Sequence, residues 1–274
     1  MNDTTRSREG APAAPAGQRF RARVEYDGTG FAGFQAQRPG FRTVQGELEA
    51  ALARLGNGER HVVDGAGRTD AGVHAADMVI AFTFTGRLTA PRLEKALNGQ
   101  LPSDVAVRDV RVVAPEFHPR RAARYREYRY TVWNGPRSPL HERYALGVRD
   151  PLDIDAMERA GQAFVGRHDF RSFGKVVGDR SAVRTVHAVR VRRRGSLVTI
   201  DVRADAFLRG MVRRIVAILI EAGRGTMNET DVRAAIAAGT PARNGASAPA
   251  RGLCLRRVVL GRRPATEPLT DGDD

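Results

Sequence analysis

Residues 65–75 read Gly65-Ala66-Gly67-Arg68-Thr69-Asp70-Ala71-Gly72-Val73-His74-Ala75. Three glycines, one arginine and a single carboxylate share this short segment, which is too rich in glycine for the interior of a helix or strand. Glycine also lets another molecule come close to the main chain. An Asp before Ala-Gly often does no more than close a turn through its side chain. Held on such a loop, just after Arg68 and just before His74, Asp70 is equally a candidate for chemistry. The segment is not a phosphate cradle, because it lacks the Gly-Lys-Ser/Thr ending of a P-loop and the third glycine of a dinucleotide-binding turn.

Outward from the loop, hydrophobic spacing switches between strand and helix. Phe20 to Tyr26 alternates with the period of a half-buried strand. Thr43 is placed to cap a helix with Val44, Leu48, Ala51, Leu52 and Leu55 on one face. Met78, Ile80, Phe82 and Phe84 alternate again. Pro91 suits the first turn of a helix bearing Leu93, Ala96 and Leu97, and Val105 to Val113 reads as a further strand. A second pass of the same kind follows. Glu127 to Trp133 places Tyr128, Tyr130 and Val132 on one face, and Asp153 caps a helix with Met157, Ala160 and Phe164. Ala188 to Arg193 and Leu197 to Ala204 form a hairpin turning at Gly195-Ser196. A long helix runs from about Phe207 to Gly223, a short one follows Thr230, and Leu253 to Leu260 closes as a strand.

The expected class is therefore α+β in two successive halves, residues 19–116 with the glycine loop and residues 117–262, the boundary falling at Pro115 to Phe117. Residues 1–18, rich in Ala, Pro and Gly, read as a disordered tail, and 263–274 as an acidic one.

The net charge is +14, carried by 45 lysines and arginines of which Lys95 and Lys175 are the only lysines. Arginine presents a planar fork that grips phosphate and stacks on bases. Such a balance favours a nucleic-acid partner over an anionic membrane. Arg120, Arg121, Arg124, Arg126 and Arg129, interleaved with Tyr125 and Tyr128, form the densest basic stretch, suited to phosphate contacts that position RNA without reading its sequence. Arg190, Arg192, Arg193 and Arg194 on the hairpin are a second such stretch. Cys254 is the only cysteine, which excludes an intramolecular disulfide, and the six histidines are scattered without metal-ligand spacing, so no metal is expected. The most apolar helix segment, 207–222, carries Arg209, Arg213, Arg214 and Glu221 and is too short and charged for a bilayer span. No apolar leader opens the chain, and a cytoplasmic protein is the expectation.

Four further blocks accompany the glycine loop. Tyr26-Asp27-Gly28-Thr29-Gly30-Phe31-Ala32-Gly33-Phe34-Gln35-Ala36-Gln37 precedes Thr43-Val44-Gln45-Gly46-Glu47-Leu48. Phe117-His118-Pro119-Arg120 leads to Tyr128-Arg129-Tyr130, Phe207-Leu208-Arg209-Gly210-Met211-Val212-Arg213 opens the long helix, and Gly252-Leu253-Cys254-Leu255 opens the last strand. In this order, over residues 19–260, they resemble the TruA family of tRNA pseudouridine synthases. The resemblance implies the pseudouridine synthase fold, with two α+β halves whose mainly antiparallel sheets join around a basic cleft. It implies an isomerase that converts uridine to pseudouridine in the anticodon stem-loop of tRNA, at about positions 38 to 40, acting without cofactor or metal and as a homodimer. It places the catalytic aspartate at Asp70, its arginine partner at Arg213, the conserved tyrosine at Tyr128, the arginine that holds the flipped nucleotide at Arg68, and an apolar residue against the target base at Leu253.

A carboxylate fits this reaction as a nucleophile toward an electrophilic carbon or as a base for a ribose proton, and both routes stay open at this point. A cation beside it favours its charged form. The loop glycines read as room for a flipped uridine. Phe34, where the family usually carries Trp, Met78, where Gln is frequent, and Cys254, where an aromatic is common, depart from the pattern. The rival reading is a non-catalytic RNA-binding protein of the same fold, in which Asp70 is dispensable. A glycoside hydrolase is disfavoured because it needs a second carboxylate across the bond.

Overall fold

The computed structural model describes residues 17–261 apart from 177, 179–180 and 240–245. The two expected tails thus lie outside the described residues, save that Gln18 already pairs in the first strand. The elements are β1 (Gln18–Tyr26), α1 (Val44–Leu55), β2 (Val63–Gly65), β3 (His74–Phe84), α2 (Ala90–Gln100), β4 (Val105–Val112), α3 (Pro119–Ala122), β5 (Ala123–Asn134), β6 (Leu146–Val148), α4 (Ile154–Gln162), β7 (Gly166–Asp169), β8 (Val183–Arg194), β9 (Leu197–Ala204), α5 (Met211–Gly223), α6 (Glu229–Ala238) and β10 (Leu253–Leu260). No described helix is long and apolar enough to cross a membrane.

All ten strands belong to one sheet, in the order β4-β1-β3-β10-β5-β9-β8-β7, with β2 also paired to β3 and β6 to β5. Only β10–β3 and β5–β6 are parallel. The class is α+β, as expected; the strands form one continuous sheet in which the last described strand, β10, is inserted between β3 and β5.

Local sequence explains the elements. On β1, Phe20, Ala22, Val24 and Tyr26 are buried in the core, while Arg19, Arg21 and Arg23 on the other face meet Asp64, Asp109 and Asp77. Thr43 and Asp153 cap α1 and α4, accepting from the backbone N–H of Gly46 at 3.2 Å and of Ala156 at 2.9 Å. Two helix starts differ from expectation. α6 begins before Thr230, because Asn228 and Asp231 cap each other reciprocally. α5 begins at Met211 rather than Phe207, because Gly210 is left-handed (φ 76°) and Lys175 N–H donates to the Arg209 carbonyl at 3.0 Å, holding 207–210 as a corner.

The glycine loop leaves the sheet at a defined place. β2 pairs with residues 80–82 of β3, and β10 pairs with residues 74–75 on the same edge. Residues 66–73 depart where one neighbour gives way to the other. The base of this loop is tied to the end of β1. His74 Nδ1 accepts from Gly28 N–H at 3.0 Å, so Nε2 donates to the Arg251 carbonyl 3.1 Å away. A methyl group on Gly28 would lie 2.1 Å from the Val73 carbonyl oxygen, which leaves room for glycine alone.

Asp27 fastens the same corner to residues 143–144. Oδ1 accepts from Thr29 N–H at 3.0 Å and Thr29 Oγ1 at 2.6 Å, and Oδ2 accepts from Arg143 at 2.6 Å and Tyr144 Oη at 3.0 Å. Burial alone would raise the Asp27 pKa, but the bonds from Thr29, Tyr144 and Arg143 outweigh it and hold the carboxyl well below its ordinary value. A depressed folded-state pKa gives stability that is complete above the unfolded value, about pH 4, and lost as pH falls through the folded value. Asp27→Asn is expected to lower stability by roughly 1 kcal/mol at neutral pH. In urea unfolding series the gap to wild type should close as pH is lowered toward about 2; a gap independent of pH would refute this account.

Candidate active site

The loop around Asp70 is held by its flanks. Tyr26 Oη and Thr69 Oγ1 are 2.8 Å apart, Phe34 N–H donates to the Thr69 carbonyl at 3.2 Å, and Gly72 N–H donates to the Phe31 carbonyl at 3.2 Å. Its three glycines serve different ends. A methyl on Gly65 would fall 2.6 Å from the ring of Phe34, Gly72 takes φ 75° in the turn, and only Gly67 faces open space. Room for an incoming group is thus supplied at Gly67, while the other two answer to packing and turn geometry.

Asp70 opens on a cavity of about 720 Å³ that Arg68, Arg120, Arg126, Tyr128, Arg213 and Leu253 also line. These residues come from the loop, α3, β5, α5 and β10, so distant parts of the chain meet here. Arg121 and Arg124 are exposed and do not line the cavity.

Asp70 stands between two guanidinium groups. Arg213 Nη1 lies 3.6 Å from Oδ2, and Arg213 Nε donates to the Ala248 carbonyl at 2.6 Å, which fixes that side chain against the protein. Arg209 Nε donates to Oδ1 at 3.2 Å, from a side chain that is 70% exposed. Sequence reasoning named Arg213 and missed Arg209. The four-residue spacing was a usable signal, although the two share no helical turn because α5 starts only at Met211. Arg214 turns away to the Ser172 carbonyl.

Tyr128 packs its buried ring edge-on against Phe207, with centroids 5.1 Å apart and planes at 88°. Phe207 is a second aromatic of the cavity that sequence reasoning quoted but did not single out. Burial pushes the Tyr128 pKa far above that of a free phenol, nearby Arg126 lowers it and Asp70 raises it. The side chain is therefore a neutral hydroxyl at physiological pH. Leu253, buried opposite Tyr130 at the start of β10, supplies apolar surface.

Arg126, expected on phosphate, is buried instead, and burial lowers its pKa. Its guanidinium donates to the carbonyls of Asp205 at 2.5 Å, Ala66 at 2.7 Å and Arg120 at 3.3 Å. It pins the root of the Asp70 loop to the corner that follows β9. Phe34 is buried beside Tyr26, and Met78 is fully buried, so both family departures are core positions. Burial pushes the Cys254 thiol up to about 11, which leaves it protonated.

Seven cations line the cavity (Arg68, Arg120, Arg126, Lys175, Arg184, Arg209 and Arg213), and Asp70 is the only carboxylate among its described lining residues. No group of three His, Cys, Asp or Glu side chains among the described residues is placed to hold a metal ion. The apolar wall made by Tyr128, Phe207 and Leu253, a basic surround and one carboxylate suit a cavity that takes a planar base on a phosphate backbone and brings a sugar carbon to Asp70.

The family model described as tRNA pseudouridine synthase matches residues 22–120 and 160–259. The tRNA pseudouridine synthase A of Brevibacillus brevis is 44% identical over 246 residues, covering 88% of this chain and 99% of that protein. That of Moorella thermoacetica is 45% identical over 241 residues, covering 86% and 96%, and that of Geobacillus kaustophilus is 39% identical over 259 residues, covering 93% and 99%.

The buried phenol yields a direct check. In ultraviolet titration Tyr26, Tyr128 and Tyr130 should stay un-ionised near pH 10, and Tyr128→Phe should leave the step at that pH unchanged. Loss of part of the step in the variant would mean that Tyr128 titrates as a solvated phenol.

Proposed function

The chain belongs to the tRNA pseudouridine synthase family and is an isomerase of that class, and on this premise we propose that Asp70 is the nucleophile that acts on a uridine of the anticodon stem-loop, at about positions 38 to 40, flipped into the cavity. In the reaction the bond between ribose C1′ and uracil N1 breaks, the base turns, and a bond forms between C1′ and C5. The proton on C5 is lost and N1 gains one, so the product is an isomer and no cofactor is consumed.

The observation that carries this reading is a single carboxylate, held between two guanidinium groups at 3.2 and 3.6 Å, in a cationic cavity that Tyr128 and Phe207 also line. Arg213, itself fixed to the Ala248 carbonyl, holds a positive charge beside the carboxylate. Tyr128 and Leu253 stack on and pack against the extruded base, and the neutral Tyr128 hydroxyl is available to a proton in transit. Arg68 is exposed on the loop, has no hydrogen-bond or ion-pair partner among the described residues, and fits the role of holding the nucleotide out of its stack. Arg120, with Arg121 and Arg124 outside the cavity, continues the basic surface for the RNA backbone. Extrusion costs a few kcal/mol, which stacking and pocket contacts offset. Two copies acting together in the cytoplasm, with the RNA touching both, complete the reading drawn from the family resemblance.

The test is release of tritium from tRNA carrying 5-tritiated uridine. Asp70→Asn should lower the rate by roughly three orders of magnitude or more, and undiminished release would overturn the nucleophile. Arg213→Ala should cost about a hundredfold in kcat with tRNA binding largely kept; equal losses in both would reduce Arg213 to a phosphate contact. Mapping the product should find pseudouridine in the anticodon stem-loop, and its formation only elsewhere would overturn the assigned position.

A further inference from the structure

Lys175 and Arg209 face each other across an isolated antiparallel bridge, joined by the bond from Lys175 N–H to the Arg209 carbonyl. Residues opposite one another in such a bridge send their side chains to the same side, with Cβ atoms about 5 Å apart, and like charges so placed destabilise the pair. Both residues line the Asp70 cavity. The Lys175 side chain is exposed and has no hydrogen-bond or ion-pair partner among the described residues. Arg209 has one partner, Asp70, reached from an exposed position, whereas Arg213 is also anchored to the Ala248 carbonyl. A pair of cations brought side by side at an open cavity, one without a side-chain partner among the described residues and one held by a single exposed contact, suits a monovalent oxyanion with two accepting oxygens.

We propose that Lys175 and Arg209 form a clamp for a phosphodiester group adjacent to the target uridine, and that Arg209 exchanges Asp70 for that phosphate when RNA enters. The inference rests on the reading above, in which a nucleotide is brought to Asp70. Arg209 offers the phosphate two parallel N–H donors, and Lys175 adds a point charge. Transfer of Arg209 leaves Asp70 paired with the anchored Arg213 alone. The carboxylate thus loses part of its compensating charge at the moment the ribose arrives. In the free enzyme the same contact shields it. Arg209 and Lys175 are positioning residues, and Arg213 remains the permanent partner.

The experiment measures KM and kcat for tritium release on an anticodon stem-loop RNA across a salt series, for wild type, Lys175→Gln, Arg209→Gln, Arg209→Lys and the double Gln variant. Each Gln variant should act mainly on KM, raising it by roughly five- to tenfold, with a smaller effect on kcat. The slope of log KM against log salt should fall by about 0.7 to 0.9 for each cation removed. Arg209→Lys should recover much of the loss. A stem-loop with neutral methylphosphonates flanking the target uridine should raise the wild-type KM and add nothing further in the Gln variants. The clamp is overturned if KM and the salt slope stay at wild-type values. It is equally overturned if the methylphosphonate and substitution penalties simply add, or if Arg209→Gln lowers kcat with KM unchanged, as a permanent partner of Asp70 would. Wild-type enzyme that releases no tritium would instead overturn the pseudouridine reading, so the two failures are distinct.

Discussion

A strand has two edges, and β3 must serve three neighbours. It gives one edge to β1 and divides the other between β2 and β10. Backbone N–H and C=O groups in the middle of a sheet have to be paired, so the chain between β2 and β3 is expelled where β10 takes over. That expelled chain is the Asp70 loop. Because β10 also pairs with β5, the same arrangement brings Tyr128 and Leu253 to the loop, and the corner before α5 closes the remaining side. The site is a consequence of how one edge is shared, and its precision comes from strands rather than from the loop itself.

Charge is distributed to the same end. On the far face of β1, arginines meet acids in pairs, and Arg129 and Asp201 do so on β5 and β9. In the cavity the acids are withheld. Seven cations surround one carboxylate, and one of those cations, Arg126, is spent on backbone carbonyls. The excess of positive charge in the composition is therefore concentrated where a polyanion must enter, and surface ion pairs elsewhere contribute little to stability.

Much of this architecture is legible in the amino-acid order. Alternation located β1, β3 and β5, the turn at Gly195-Ser196 located β8 and β9, and Thr43 and Asp153 marked helix starts, because period, turn chemistry and capping are local properties. The three-residue strands β2 and β6, and β7, escaped notice because they owe their existence to neighbours distant in sequence. Asp70 stood out through its glycines, but their separate reasons (the Phe34 ring, a left-handed turn, open space) are tertiary facts. Arg126 is the sharpest case. Its place in a run of arginines suggested phosphate, and only the fold shows that its guanidinium is enclosed by three carbonyls. Arg209 was hidden for the opposite reason, since a left-handed Gly210 breaks the helical register from which its direction would be read.

The place of β10 has a bearing on how the molecule is made. A ribosome delivers residues 253–260 after every other described strand, yet they fill the middle of the sheet. Until they emerge, β3 and β5 each present a bare edge, the kind of surface that draws in other chains. Nor does the cavity possess Leu253 before then. The nascent polypeptide thus stays unfinished at its centre until this strand emerges, and the cavity is completed only then.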